Sequence, residues 1–288
     1  MKLNFENDKF CIIVGLIVNF LLFIIKFFVG IFGKSQTMVA DAIHSLSDQV
    51  ATFVVFISLR YSEKPPDKNH PYGHGNIEVI TAIFVALLIL ITGIFLGYSA
   101  IHTIVYKHYD TTPETITMYV AVLSIITKEL LFRYTYFVGK IHNSTMIIAN
   151  AYDHRSDALS SVCALIAIAA AKFAYAIIDS IGSIIISLFV VKMGIDILKE
   201  NVLIIMDTTP SQTLQQEVET LITNVNGVKD ISFAKIHPVG RHLFVETEIF
   251  VDKQLTLVDA HKIAEDVKNV LKEKNLQIKD VVVHIEPR

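Results

Sequence analysis

The chain has 288 residues, 52% of them hydrophobic, and a mean hydropathy of +0.52. This is too apolar for an ordinary water-soluble domain and places the chain among membrane proteins. A formal net charge of −3 points away from a polyanionic partner such as nucleic acid, and two isolated cysteines, Cys11 and Cys163, exclude a disulfide framework or a Cys-rich metal site.

The first apolar run, Phe10 to Phe32, is broken only by Asn19 and Lys26. It is too long for a signal-peptide core and has no small-residue cleavage site after it, so it reads as a first span. Lys34-Ser35-Gln36 makes a turn. A second span runs from about Thr37 to Tyr61. A polar loop, Ser62 to Gly75, includes Pro65-Pro66-Asp67-Lys68-Asn69-His70-Pro71-Tyr72-Gly73-His74. Further spans are expected near Ile77–Tyr106, Pro113–Val138, Thr145–Tyr175 and Ile177–Val202, each close to or above the ~20 residues needed to cross the hydrocarbon core. Six spans return both termini to one side. Lys2, Lys9, Arg60, Lys64, Lys68, Arg133, Lys140 and Lys199 fall on that side, against Lys34, Lys107 and Lys172 opposite, so the termini are expected to be cytosolic.

Composition changes at Met206-Asp207-Thr208-Thr209-Pro210. Leu214, Val218, Leu221, Ile222 and Val225 recur with helical spacing, and Gly227 can end that helix. Val228–Ile236 and His242–Val251 alternate as strands. Leu257, Ala260, Ala264, Val267 and Leu271 mark a second helix, and Val281, Val283 and Ile285 a last strand. The expected fold is therefore membrane α-helical: six transmembrane helices over residues 1–206, then a cytosolic α+β domain over 207–288. The order αββαβ suggests a ferredoxin-like arrangement with helices on one face of a three-stranded sheet. About 80 residues make a small core, which association with a second copy would help.

The chemistry lies in two apolar stretches. Ala40-Asp41-Ala42-Ile43-His44-Ser45-Leu46-Ser47-Asp48 and Ala149-Asn150-Ala151-Tyr152-Asp153-His154-Arg155-Ser156-Asp157 share the pattern Ala-[Asp/Asn]-Ala-x-[His/Asp]-x-x-Ser-Asp. His44 and Asp48 are four apart, as are Asp153 and Asp157, so each pair stacks on one helix face. A carboxylate in hydrocarbon costs several kcal/mol unless a cation holds it. Two facing helices with these pairs could enclose one cation with one nitrogen and three oxygens, a donor set suited to a first-row divalent metal. The bland alternative is separate polar groups tying helices together. Asp41, three residues before His44, could guide ions at the outer mouth or cap the helix start. Lys192 and Asp196 form an i,i+4 pair expected to neutralise itself. Lys128 is expected to contact an acidic group in the bundle.

The chain resembles the cation diffusion facilitator family of divalent metal exporters over nearly its whole length. The resemblance rests on the six spans, His44-x-x-x-Asp48, Asp153-His-Arg-Ser-Asp157, Asp67-Lys-Asn-His-Pro-Tyr-Gly-His74-Gly75, and the C-terminal αββαβ order. It implies a homodimer that rocks spans two and five to open the site alternately to either side, driven by inward proton flow. It implies His44, Asp48, Asp153 and Asp157 as the transport site, with Asp48 and Asp157 constant and His44 and Asp153 variable. Zinc-selective members typically carry His at both variable positions, so Asp153 departs from strict zinc selectivity. His154, one position from the family's usual His, reads as lying outside the ligand set. Asp67, His70 and His74 would form a weaker loop site. Glu248, His261, His284 and Glu286 would form a cytosolic regulatory site, with His237 as a further candidate. Lys229 replaces one more family His, which disfavours a two-metal cluster. Asn76 stands where relatives often carry a Lys that pairs with an Asp matching Asp207.

The function expected is efflux of a divalent cation by proton antiport. Zinc is the first candidate cargo, with manganese, iron, cobalt or cadmium beside it. The setting implied is a bacterial cell membrane. No cofactor is implied beyond the transported or regulatory metal; the partners are a second copy, protons and membrane lipids. A metal-dependent intramembrane enzyme is the competing reading, since a bound ion can activate water. Against it, no HExxH pattern occurs, and four protein ligands leave no open position. A metal sensor is the third.

Overall fold

The computed structural model describes residues 8–62, 64–106, 112–141, 145–209, 211–240, 242–274 and 277–288. Lys2, Lys107 and Pro210, and Glu63 within the polar loop, lie outside them. Six long helices come first: α1 (Asp8–Phe32), α2 (Gln36–Ser62), α3 (Asn76–Val105), α4 (Thr115–Ile141), α5 (Thr145–Phe173) and α6 (Ile177–Ile205). Then follow α7 (Gln212–Thr223), β1 (Asp230–Val239), β2 (His242–Val251), α8 (Leu257–Lys274) and β3 (Ile278–Pro287). The chain divides into two compact units, residues 1–53 with 85–196 and residues 54–84 with 197–288.

Five of the six long helices are long and apolar enough to cross a membrane. They present Phe28, Phe84, Ile91, Phe95, Tyr119, Leu130, Ile166 and Leu188 outward. A water-soluble protein would bury such surface, whereas lipid solvates it. The remaining helix, α2, has 27 residues, or about 40 Å at 1.5 Å per residue. It matches the others in length, but Asp41, His44, Ser45, Ser47, Asp48 and Gln49 dilute its apolar character. The polar residues of α2 are the price of a site inside the bundle.

Local chemistry positions α2. Lys34 adopts a left-handed conformation (φ 52°) that reverses the chain after α1. The Ser35 hydroxyl accepts from the Met38 N–H at 3.1 Å and donates to Asp179 Oδ1 at 2.7 Å, and the Gln36 N–H donates to Asp179 Oδ2 at 2.5 Å. The buried carboxylate of α6 thus satisfies the exposed amides at the start of α2 and favours its dipole. Where α3 and α6 meet, no room exists for larger side chains. A Cβ at Gly93 would lie 2.9 Å from Val191 Cγ2, and one at Gly194 2.8 Å from Leu90 Cγ. Small residues permit this approach of helices in lipid.

In the second unit the strand order is β1-β2-β3; β1 and β2 are antiparallel, β2 and β3 parallel. Ala234, Ile236, Val245, Ile249, Val251 and Val281 turn one face toward Val218, Ile222, Val267 and Leu271 of the two helices, closing one apolar core. The αββαβ expectation describes this domain. Its second sheet face, with Phe233, Glu246, Val282 and His284, stays exposed, as half-buried sheets allow.

Candidate metal centre

One donor atom from each of His44, Asp48 and Asp157 lies within 4.8 Å of the others. The i,i+4 spacing in α2 puts the first two on one face, and α5 brings Asp157 across to them. These side chains line a cavity of about 550 Å³ whose wall also includes Asn19 of α1, Asp153 and His154 of α5, and Met193 of α6. His44 Nδ1, Asn19 Oδ1 and His154 Nε2 are buried there without a hydrogen-bond partner among the described residues. Buried polar atoms without a partner cost about 1–3 kcal/mol each, which a bound cation or its water would offset. Asp153 lines the same cavity but is exposed, and its carboxylate stands outside the three-residue group. The structure therefore gathers three of the four expected ligands. His154, expected to lie outside the ligand set, is buried and shares the cavity.

Two buried lysines flank this region. Lys128 of α4 donates to Asp157 Oδ2 at 2.6 Å, the acidic partner expected for it. Lys26 of α1, fully buried, pairs with Asp41 at 2.7 Å and donates to Ser45 and Ser161 at 3.2 and 3.1 Å. Asp41 is accordingly neither a mouth residue nor a cap; it is the counter-ion of Lys26. In the sequence Lys26 stands out only as a break in an apolar run, yet it lies eight residues before Lys34 and Asp41 seven after it, so an antiparallel hairpin sets them opposite. Lys192 and Asp196, expected to pair, are both exposed and form no ion pair among the described residues. Arg155 leaves the site to lie over the Phe132 ring at 4.9 Å.

A second donor group is Asp67, His70 and His74, again within 4.8 Å of one another. Asp67 Oδ1 lies 3.1 Å from His70 Nδ1 and Oδ2 lies 3.4 Å from His74 Nε2. The backbone N–H groups of His70 and Asn69 donate to Asp67 and hold its carboxyl below the usual range. Tyr72 anchors the loop, its ring 5.4 Å from Phe244 and 5.9 Å from His237. Asn76 Oδ1 accepts from the Gly240 N–H at 3.1 Å, and Asp207 pairs with His237 Nδ1 at 2.6 Å. Asp207, whose expected lysine is missing, thus takes His237 as partner.

The third group is Glu248, His284 and Glu286. The parallel register sets Glu248 opposite His284, and the period of two puts Glu286 on the same face. His284 Nε2 lies 3.0 Å from Glu286 Oε1. His261 does not join them. It is exposed on α8, whose Ala260, Ala264, Val267 and Leu271 pack on the other sheet face, so the sheet separates it from the group. Lys229 is held by Asp252 at 3.1 Å.

Two family matches cover this architecture. Residues 12–206 match the cation efflux transmembrane domain, and residues 210–288 match the cation efflux protein, cytoplasmic domain. A transporter of Methanocaldococcus jannaschii is 35% identical over 275 residues, spanning 96% of both chains. The manganese efflux system protein MneP of Bacillus subtilis is 30% identical over 96% of this chain and 94% of its own. The magnetosome protein MamB of Magnetospira sp. is 32% identical over 90% and 88%. The chain belongs to the cation diffusion facilitator family and is an integral membrane protein of metal efflux.

Proposed function

We propose that the protein exports a divalent transition metal through the cavity of His44, Asp48 and Asp157, with Asp153 as the fourth ligand once α2 and α5 close on the ion. The convergence of three donor atoms within 4.8 Å inside an apolar bundle is the observation that supports this most strongly. One imidazole and three carboxylates make a harder donor set than two imidazoles would supply. The cargo is zinc together with manganese or iron; the likeness to MneP, a manganese efflux system protein, supports the manganese part of this reading. Metal entry displaces protons from ligands, so metal leaves as protons enter. The termini lie in the cytosol, by the lysine and arginine distribution and the cytoplasmic-domain match. The C-terminal domains of two copies associate, and Glu248, His284 and Glu286 bind a regulatory ion there.

The test is flux into liposomes carrying a metal-sensitive dye. Asp157→Asn, which keeps an oxygen to accept from the buried Lys128, is expected to fold and elute like the wild type while losing at least 90% of zinc and manganese flux (about a ten-fold loss corresponds to 1.4 kcal/mol). Undiminished flux in that variant would reject the site.

A further inference from the structure

Lys128 is 1% exposed, and its ammonium lies 2.6 Å from a carboxylate of the metal site. A cation beside a cation site is at first sight a competitor. Formal charge gives it another role. Asp48, Asp153 and Asp157 bring three negative charges to the cavity, and Lys128 brings one positive charge. The remainder is two negative charges, equal and opposite to one divalent cation. A site with two carboxylates and two imidazoles would reach that balance with no lysine. Lys26, the other fully buried lysine among the described residues, is committed to Asp41 and adds nothing to the count. Arg133 pairs with Glu129 at 2.9 Å, and Arg155 lies over Phe132. A charge left uncompensated in hydrocarbon is costly, so the balance bears directly on how the loaded and empty bundle can reorient.

We infer that Lys128 is the built-in counter-charge for the third carboxylate, Asp153, and so sets the cavity to accept one divalent ion with no residual charge. Lys128 touches Asp157 and not the cargo; it is a positioning residue that acts through charge. Loss of a lysine that merely ties α4 to α5 would weaken metal binding or leave it unchanged, whereas loss of a counter-charge tightens it and offsets the loss of the Asp153 carboxylate.

The inference rests on the reading of this cavity as the metal site. The experiment is an equilibrium titration of the full chain in nanodiscs with Mn²⁺. All proteins carry His70→Ala and His284→Ala to silence the other two donor groups. Lys128→Met is expected to tighten Mn²⁺ binding at least ten-fold and Asp153→Asn to weaken it at least ten-fold. The double variant Lys128→Met with Asp153→Asn should return to within three-fold of the starting protein. Lys128→Gln, which keeps an N–H donor for Asp157 but drops the charge, should behave as Lys128→Met does; it carries the test if the methionine variant fails to fold. A lysine variant that folds and binds Mn²⁺ more weakly or less than three-fold more tightly, or a double variant no closer to the starting protein than its parents, overturns the counter-charge. No Mn²⁺ binding in the starting protein overturns the metal-site reading and this inference together.

Discussion

At position 153 a carboxylate stands where the family resemblance implies an imidazole for zinc-selective members, and the consequence is chemical before it is structural. Imidazole favours zinc and its neighbours, whereas carboxylate oxygen accepts manganese and ferrous iron more readily. Asp153→His should raise the ratio of zinc to manganese initial flux about ten-fold, with absolute affinity falling because Lys128 then overcompensates the site. Initial rates for each ion in both proteins decide this; an unchanged ratio removes residue 153 from selectivity. The i,i+4 pairs that suggested the site were plain in the sequence because helical period alone puts them on one face. That Asp153 would sit apart from the other three, and that His154 would be buried beside them, was not, because rotation of α5 in the bundle is set by packing and not by its own period.

Among the elements, the third strand carries the sharpest test. Glu248, His284 and Glu286 share the open face of the sheet, while His261 lies on the helix across it. Zinc should slow amide exchange in β2 and β3, since an ion that binds only the folded state stabilises it by about 2.7 kcal/mol at a hundred-fold excess over its Kd. His284→Ala should abolish that protection, and His261→Ala should leave it intact. The reverse result would place the ion on the helical side. Asp280 offers a pH test on the same strand. A hydrogen bond from Lys272, the largest cause, holds its carboxyl below the ordinary value of 3.8. A depressed carboxylate stabilises fully above its unfolded value and loses that contribution as pH falls through the lower folded value. Since its side chain is half exposed, the contribution is about 0.5 kcal/mol. Asp280→Asn should therefore lower the unfolding temperature of this domain at pH 7 and have a smaller effect at pH 3. An equal shift at both would show that the ion pair contributes nothing.

For the whole molecule the question is what drives the metal. Ligand protons must leave before the ion binds, so an acidic donor compartment should slow loading. At a fixed membrane potential, an imposed gradient with the receiving side acidic should raise metal flux several-fold, and the dye-filled liposomes report it. Flux that ignores the gradient would make the protein a uniporter.

Apolar run length, the two matching nine-residue stretches, the lysine and arginine bias and the strand-helix alternation after Met206 were all local properties, and local chemistry suffices to determine them. Hydrocarbon thickness dictates span length, and helical and pleated periods dictate which residues share a face. Partnership was another matter. The pairing of Lys26 with Asp41, of Lys128 with Asp157 and of Asp207 with His237 joins residues 15, 29 and 30 positions apart. The separation of His261 from Glu248 by the thickness of a sheet likewise depends on which face α8 covers. These were decided only when helices packed and strands took their register, because a side chain's partner is chosen by the neighbouring element and not by its own.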